Sequence, residues 1–235
     1  MNLDFWKGRR VFVTGHTGFK GGWMVTWLKK MGAVVKGYSL DPNAKLSLFD
    51  VANVGEGIES EIGDIRNLDC LKKSILSFAP EIVIHMAAKA LVRDSYQDPI
   101  GTYTTNIMGT VNLLESVRSC HSVRAVVNVT TDKCYENKEW TWPFRETDRL
   151  GGHDPYSASK ACAEVAAAAY RSSFLSTADI QLASVRAGNV IGGGDLSDNR
   201  IIPDAFKNWA KKNKLLIRNP HSTRPWQYVL EPLFG

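Results

Sequence analysis

The chain has 235 residues, 44% of them hydrophobic and 23% charged, a composition typical of a globular protein with a substantial core. No apolar run reaches the roughly 20 residues of a membrane-spanning helix, and the first residues lack the basic and apolar regions of a signal peptide. The net charge of +5 comes mostly from scattered bases, without a continuous basic stripe interleaved with aromatics. We therefore expect neither a membrane nor a nucleic-acid partner.

The four cysteines lie far apart and show no metal-ligand spacing. They predict free thiols in a reducing cytoplasm, and no metal site. Five of the twelve residues from 207 to 218 are basic, which we interpret as a solvated helix face followed by a strand.

Short apolar runs alternate with helical patterns along most of the chain. Helices are predicted from the end of the glycine-rich turn to about residue 31 and at 68–78, 98–118 and 157–174, with a variable loop at 43–57. Strands are predicted at 11–13, 33–38, 60–62, 82–86, 125–131 and 180–186. This alternation predicts an α/β fold, a doubly wound parallel sheet covered on both faces. Near the C-terminus we predict a helix at 205–212, a strand at 215–217 and the beginning of another helix at 224–235.

The first strand runs into a turn with glycines at 15, 18 and 21, followed by a helix. Such a turn directs backbone N–H groups and the positive end of the helix dipole at one point, where a pyrophosphate binds. Gly15 makes the turn, Gly18 allows close approach of the phosphate, and Gly21 packs the helix on the strand. The spacing is G-x-x-G-x-x-G rather than the usual G-x-G-x-x-G, and three glycines in a loop also arise by chance.

Further polar and small residues follow the ends of the other predicted strands. Asp41 lies where a carboxylate accepts hydrogen bonds from an adenosine ribose, which favours NAD over NADP; an ordinary Asp-Pro turn is the alternative. Ala87 and Ala88 allow a ligand to approach the backbone, and Thr131 follows the fifth strand. Since ligands bind parallel sheets at the carboxyl ends of the strands, one crevice should collect these residues.

Tyr156 and Lys160 are four residues apart and share one helix face. An ammonium beside a phenol favours the phenolate, so we expect a lowered pKa and a tyrosine that acts as a base. Lys160 can also hold the nicotinamide ribose. A bare Y-x-x-x-K occurs often by chance in helices, and it gains weight here from the glycine turn.

The chain resembles the extended short-chain dehydrogenases/reductases, whose fold is Rossmann-like. The residues that carry the resemblance are the glycine turn, Asp64-Ile65, Ala87-Ala88, Asn106-x-x-Gly109-Thr110 and Tyr156-x-x-x-Lys160. Thr131-Asp132 is similar to the nucleotide-sugar 4,6-dehydratases, most of which continue with glutamate where this chain has Lys133. That lysine, together with residues 15–21, 186–195 and 224–227, resembles the members that act on CDP-glucose, in the synthesis of dideoxysugars of the O-antigen.

The resemblance implies a site and a domain organisation. It implies an NAD-binding domain at 1–187 and a partial sugar-nucleotide-binding domain at 188–235, with further C-terminal residues expected, and a homodimer or homotetramer formed through the helices at 98–118 and 157–174. The implied cofactor contacts are Gly15, His16, Thr17, Gly18, Phe19, Lys20, Gly21, Asp41, Asp64, Ile65, Ala87, Ala88, Lys89, Asn106, Tyr156 and Lys160. The implied substrate contacts are Thr131, Asn189, Arg200, Arg218 and Arg224.

The implied reaction is an internal oxidation, loss of water and hydride return. Tyr156 takes the proton of the sugar 4-hydroxyl, and Thr131 polarises the 4-oxygen. Lys133 is the base at C5 and Asp132 the acid at C6, although the lysine leaves the division between these two open. A surface ion pair is the alternative reading of Asp132 and Lys133. An epimerase, a dTDP- or GDP-sugar dehydratase and a non-catalytic cofactor sensor also remain open.

Overall fold

The computed structural model describes residues 3–42 and 47–235. Six parallel strands form the main sheet in the order β3-β2-β1-β4-β5-β6. These strands are β1 (Arg10–Thr14), β2 (Val34–Ser39), β3 (Glu59–Ile62), β4 (Ile82–His85), β5 (Ala125–Val129) and β6 (Gln181–Val185). The order reverses between β1 and β4, so a crevice opens there at the carboxyl ends of the strands. The predicted doubly wound sheet is confirmed.

Both faces of the sheet are buried because side chains alternate along each strand. Val11 and Val13 pack on one face with Val25 and Leu28 of the first helix. Phe12 packs on the other face, in a cluster drawn from the helices that follow β3 and β4. All three β1 side chains are fully buried, which is why the run reads as continuously apolar.

Nine α-helices are described. They are α1 (Phe19–Lys30), α2 (Leu48–Val51), α3 (Leu68–Phe78), α4 (Val92–Gln97), α5 (Pro99–Tyr103), α6 (Gly109–Arg118), α7 (Pro155–Tyr170), α8 (Ile201–Ala210) and α9 (Leu230–Phe234). The predicted helices at 98–118 and 157–174 each contain a π-helical turn, at Thr104–Met108 and Arg171–Leu175. Part of the predicted 43–57 loop is helical as α2, and residues 43–46 lie outside the described part of the chain.

The C-terminal predictions need correction. Residues 215–217 form no strand, and their large side chains are mostly exposed because they pack on no sheet. The predicted 205–212 helix instead spans Ile201–Ala210. Pro203 lies in its first turn, where a missing N–H is tolerated, so the proline does not prevent the earlier start. Residues 224–235 do not begin as a helix, since Trp226–Tyr228 (β8) pairs in parallel with Asn189–Ile191 (β7) before α9.

The segment after β6 packs against α1. Trp23 donates its indole N–H to the carbonyl of Gly193 at 2.9 Å, and its ring meets Tyr228 edge-on at 6.2 Å. Val229 is fully buried, and Trp27 stacks on Phe234. The second sheet is thus held over the start of α1, beside the crevice. The division into domains at 187/188 stays a prediction.

No helix in the described ranges is both long and apolar enough to cross a membrane.

Candidate active site

The glycine turn packs directly on the end of β4. Gly15 has φ +79°, and a Cβ there would lie 2.8 Å from the backbone nitrogen of Ala87. A Cβ on Gly21 would lie 2.0 Å from the carbonyl oxygen of Gly15. Gly18, by contrast, faces open space except for that oxygen, 3.3 Å from its Cβ position. The turn is therefore closed by Gly15 and Gly21 and open at Gly18.

No side chain caps the N-terminus of α1. The N–H groups of its first turn, at Phe19 and Lys20, remain available for an anion, and the open side of Gly18 gives access to them. The turn thus fits the pyrophosphate of a dinucleotide.

The side chains of His16 and Thr17 are used by the fold. The His16 ring is fully buried, lies 2.8 Å from the Ser60 hydroxyl through Nε2 and meets Phe49 edge-on. Thr17 bonds the Ser39 hydroxyl at 2.9 Å and donates to the carbonyl of Leu40. Of these two predicted cofactor contacts, only the backbones face the turn.

His85 is a packed structural residue, as expected for a histidine inside a strand. Its Nδ1 lies 2.7 Å from Thr14 Oγ1, and its Nε2 lies 3.1 Å from Thr110 Oγ1. Thr14 Oγ1 accepts the N–H groups of Met86 and Ala87, so its proton points to Nδ1. His85 therefore carries its proton on Nε2, and this chain of bonds holds the backbone after β4 against β1.

Acid should destabilise the fold through these two imidazoles. Burial lowers the pKa of His16 from 6.5 to about 4 and that of His85 to about 3. Below pH 6.5 the unfolded chain binds protons that the folded chain excludes, so the free energy of unfolding falls until the pH reaches the folded values. We expect a loss of about 1–2 kcal/mol per imidazole by pH 5. Urea denaturation at pH 7.5, 6 and 5 measures it, and a pH-independent midpoint would contradict it. A His85→Gln variant should lose about half of the slope.

The side-chain amide of Asn106, a predicted cofactor contact, is hydrogen-bonded to the loop after β4. It accepts the N–H of Lys89 at 2.9 Å and donates to the Lys89 carbonyl and the Ser159 hydroxyl at 3.0 and 2.8 Å. The Lys89 ammonium is paired with Asp98. The 87–89 loop is therefore tied to α7, the helix that carries Tyr156.

The other predicted cofactor residues lie at the rim. Hydrogen bonds from Arg66 occupy the carboxylate of Asp64 and lower its pKa. Ile65 is buried beneath Gly109, where a Cβ would lie 2.4 Å from its Cδ1. Asp41 is exposed two residues beyond the end of β2.

Tyr156 and Thr131 meet in the crevice. Asp154 caps α7 through the N–H of Ser157 at 2.9 Å, and Pro155 is the first helical residue, so Tyr156 lies in the first turn. Tyr156 is buried, and the Thr131 side chain is close enough to its phenol to oppose the rise in pKa that burial causes.

The expected effect of Lys160 on Tyr156 is wrong. Burial raises the pKa of Tyr156, and the Thr131 side chain and the charge of Arg200 only partly oppose it. The Lys160 ammonium instead donates to the carbonyl of Val129 in β5 at 3.1 Å. Burial, with the charge of Lys20 as the second cause, lowers the pKa of Lys160 to about 8. The lysine is itself desolvated and bound to the backbone, and it is not among the groups that lower the pKa of Tyr156.

Lys20 and Arg200 add positive charge to this crevice. Burial lowers the pKa of Lys20 to about 8, and the neighbouring charges that act on it include Arg200, Asp132 and Lys133. Arg200 is paired with Asp195 at 3.0 Å. The site therefore combines several cations with few carboxylates and suits an anionic ligand.

Asp132 and Lys133 form a 3₁₀ turn directly after Thr131. The Lys133 ammonium lies 3.4 Å from Asp132 Oδ1, which also accepts the Thr131 hydroxyl at 3.1 Å. The ion pair that we considered as the alternative reading is thus formed, and it adjoins Thr131, whose side chain also acts on the pKa of Tyr156.

The predicted substrate residues beyond β6 differ in their placement. Asn189 has a buried side-chain oxygen that finds no hydrogen-bond partner among the residues the structure describes. Arg218 is exposed and donates to Asn199 at 3.2 Å, and exposed Arg224 donates to the adjacent Thr223 carbonyl. Arg200 adjoins the crevice, because its charge acts on both Lys20 and Tyr156. The guanidiniums of Arg218 and Arg224 instead contact polypeptide, at Asn199 and Thr223.

Sequence reasoning missed a buried carboxylate behind the site. Glu164 pairs with Arg186 and bonds Thr130, directly before Thr131. The signal was available, because positions 156, 160 and 164 share one face of α7. The described part of the chain has no group of His, Cys, Asp and Glu able to hold a metal ion, and its four cysteines are free.

The chain is similar in sequence to known proteins that act on nucleotide sugars. The model of the NAD dependent epimerase/dehydratase family matches residues 11–231. The CDP-glucose 4,6-dehydratase of Salmonella typhimurium is 56% identical over 240 residues, covering 100% of this chain and 67% of that protein. This chain thus spans about two thirds of that relative's length.

Two solved structures are similar throughout the described fold. The dTDP-glucose 4,6-dehydratase DesIV of Streptomyces venezuelae, with NAD and TYD bound, has a TM-score of 0.84 at 24% identity and covers 96% of this chain and 70% of its own. The UDP-glucose 4-epimerase of Thermus thermophilus, in complex with NAD, has a TM-score of 0.79 at 27% identity, with coverage of 94% and 70%.

Proposed function

Because this chain belongs to the NAD-dependent epimerase/dehydratase family, we propose that it is a nucleotide-sugar 4,6-dehydratase that converts CDP-D-glucose to CDP-4-keto-6-deoxy-D-glucose. One observation carries the proposal: the phenol of Tyr156 lies close enough to Thr131 for that side chain to act on its pKa, and Thr131 donates in turn to Asp132, the ion-pair partner of Lys133. A hydroxyl-bearing pair for oxidation thus stands beside an acid and an amine for elimination. The 56% identical Salmonella protein bears the same activity in its name.

NAD is the cofactor of this family, and the open glycine turn fits its pyrophosphate. When bound, NAD would supply the hydride acceptor for oxidation at sugar C4 and the hydride donor for reduction at C6. We assign the first-turn N–H groups of α1 to the pyrophosphate, Asp41 to the adenosine ribose and Lys160 to the nicotinamide ribose. His16 and Thr17 contribute backbone only, and Asn106 acts through the 87–89 loop.

The side chains divide the proton transfers among them. Tyr156 accepts the proton of the 4-hydroxyl, while Thr131 donates to the developing 4-oxygen. The resulting ketone acidifies the C5 proton, which Lys133 removes once its own ammonium proton has passed to Asp132 within the ion pair. Asp132 protonates the leaving 6-hydroxyl, so water departs and a C5–C6 double bond forms. The Lys133–Asp132 contact brings the two groups together where elimination needs them on adjacent carbons.

The 188–235 segment contributes the sugar-nucleotide contacts. The unpartnered Asn189 oxygen suits a ribose hydroxyl, and the Arg200 guanidinium, whose charge reaches Tyr156, suits a phosphate. We also propose the exposed Arg218 and Arg224 as candidate contacts of the sugar nucleotide.

The substrate is tested by incubating the protein with CDP-glucose, dTDP-glucose and UDP-glucose and reading 4-keto sugar by its base-shifted absorbance. We expect product from CDP-glucose. Product from dTDP-glucose alone would replace the CDP assignment with another dehydratase, and a 4-epimer without loss of water would indicate an epimerase. Asp132, the proposed acid, is the feature that argues against the epimerase.

Lys133→Ala should separate the two halves of the reaction. Removing the amine leaves Tyr156 and Thr131 in place, so oxidation at C4 should stay within about threefold of the parent while dehydration falls by roughly 10²–10⁴-fold. Quenching with borodeuteride labels any 4-ketone, and loss of C5 hydrogen to deuterated solvent reports the base. Lys138→Ala, at a lysine paired with Glu136, is the matched control. Normal dehydration by Lys133→Ala would show that another group is the base.

We further propose a homodimer or homotetramer formed through α5, α6 and α7, in the cytoplasm, on a route to dideoxysugars of the O-antigen. Large apolar side chains are exposed on these helices, among them Ile100, Tyr103 and Val165. Analytical ultracentrifugation tests the assembly, and a monomer at micromolar concentration would refute it.

A further inference from the structure

A buried ion pair lies directly behind the Thr131-Asp132-Lys133 segment. The Glu164 carboxylate accepts two bonds from the Arg186 guanidinium, at 2.6 Å to Oε1 and 2.5 Å to Oε2. The two side chains are 5% and 17% exposed. A bidentate pair at this depth has a rigid geometry, and loss of one partner strands the other charge.

The same pair holds the chain on both sides of the segment. On the N-terminal side, Thr130 donates its hydroxyl to Glu164 Oε1 at 2.5 Å. On the C-terminal side, the Cys134 thiol lies 3.6 Å from Oε1, and Arg186 donates to the Tyr135 hydroxyl at 2.7 Å. The three intervening residues therefore form a short bridge between two anchored ends.

The backbone around Arg186 repeats this arrangement. The N–H of Thr130 donates to the carbonyl of Val185 at 2.8 Å, and the N–H of Asp132 donates to that of Ala187 at 3.1 Å. The guanidinium also lies 4.7 Å from the centre of the Tyr135 ring. Arg186 is thus enclosed by the strand end that it supports.

Glu164 connects this anchor to the tyrosine. It lies one turn beyond Lys160 and two turns beyond Tyr156 on the same face of α7. Tyr156 is positioned by its own helix, whereas Asp132 and Lys133 are positioned by the bridge. A change at Glu164 should therefore move the acid and the amine more than the phenol.

We propose that Glu164 is a positioning residue for elimination: paired with Arg186, it fixes Asp132 and Lys133 at the distance from Tyr156 that loss of water requires. The inference rests on the proposed function for its chemical readout. The anchoring of residues 130–135 by Glu164 and Arg186 does not depend on the proposed function.

Glu164→Gln is the direct test, because it keeps the shape and removes the charge. We expect dehydration to fall roughly 10²-fold, the usual cost of a displacement of about 1 Å, while C4 oxidation falls less than about threefold. Amide exchange of residues 130–135 should become faster relative to the sheet. The matched control is Glu61→Gln, which breaks the pair with the buried Lys36 at the far edge of the sheet and should leave both the ratio of the two steps and the exchange of 130–135 unchanged.

A double variant separates positioning from stability. Glu164→Leu with Arg186→Met removes both charges, so it should recover most of the thermal stability lost in the single variant. It cannot restore the bonds to Thr130 and Tyr135, so the ratio of dehydration to oxidation should stay low. A double variant with the parent ratio would overturn the proposal, as would Glu164→Gln with parent ratio and parent exchange.

The outcomes also separate this inference from the proposed function. If the parent protein dehydrates none of the three nucleotide sugars, the function is wrong, and the exchange of 130–135 in Glu164→Gln still decides the anchoring. If the parent dehydrates CDP-glucose and the variants keep the ratio, only the role of Glu164 is wrong.

Discussion

Replacing Tyr156 with phenylalanine should lower the turnover of CDP-glucose by roughly 10²–10⁴-fold, the usual contribution of a positioned acid–base group. The variant removes one hydroxyl from a buried ring, and Thr131 keeps its bond to Asp132. We therefore expect a stability cost of only about 1 kcal/mol. Rapid quench with borodeuteride should find no 4-ketone, because the block precedes elimination.

The contrast with Lys133→Ala makes this result specific. Both variants should lose the 4-keto-6-deoxy product, but only Tyr156→Phe should lose the oxidation step. Tyr170→Phe is a control, since its hydroxyl bonds Glu115 on the outer face of α6. A Tyr156→Phe variant that oxidises C4 at the parent rate would remove the phenol from the mechanism.

Gly21→Ala should have the largest effect on the fold. Its Cβ would lie 2.0 Å from the Gly15 carbonyl oxygen, a backbone atom that cannot move without shifting β1 or α1. We expect a loss of about 3 kcal/mol or more, which corresponds to a fall in melting temperature of about 10 °C in a chain of this size. NAD affinity should fall as well, because the first turn of α1 moves with the helix. Differential scanning calorimetry and NAD titration measure the two effects.

Two glycines of the same chain are matched controls. Gly18→Ala meets only the Gly15 oxygen, at 3.3 Å, so it should fold but bind NAD poorly, since the methyl group fills the open side of the turn. Gly193→Ala meets nothing within 4 Å and should change neither measurement. A Gly21→Ala protein that melts with the parent would show that the turn has a different geometry.

The protonation of Tyr156 depends on more than the neighbouring Lys160. Burial lowers the pKa of Lys160 to about 8 and raises that of Tyr156. The ammonium of Lys160 therefore does not account for the ionisation of the phenol. The cation that lowers the pKa of the Tyr156 phenol is Arg200, more than forty residues away in the chain. Activity should therefore depend on the Arg200–Asp195 pair as well as on Lys160.

The sequence by itself determined the sheet, the glycine turn and which residues follow the ends of the strands. Those features are local: apolar strands buried on both faces read as continuous runs, and a turn that admits no Cβ must carry glycine at 15 and 21. The residues at the strand ends converge because parallel strands place their carboxyl ends on one edge.

Only the tertiary structure decided how those residues are used. It turned Lys160 toward the Val129 carbonyl, gave the amide of Asn106 to the 87–89 loop, and placed Glu164 against Arg186. It also paired Asn189–Ile191 with Trp226–Tyr228 and left the apolar residues at 215–217 without a sheet. These outcomes depend on partners tens of residues apart and on the cost of desolvating a charge, neither of which is written in local periodicity.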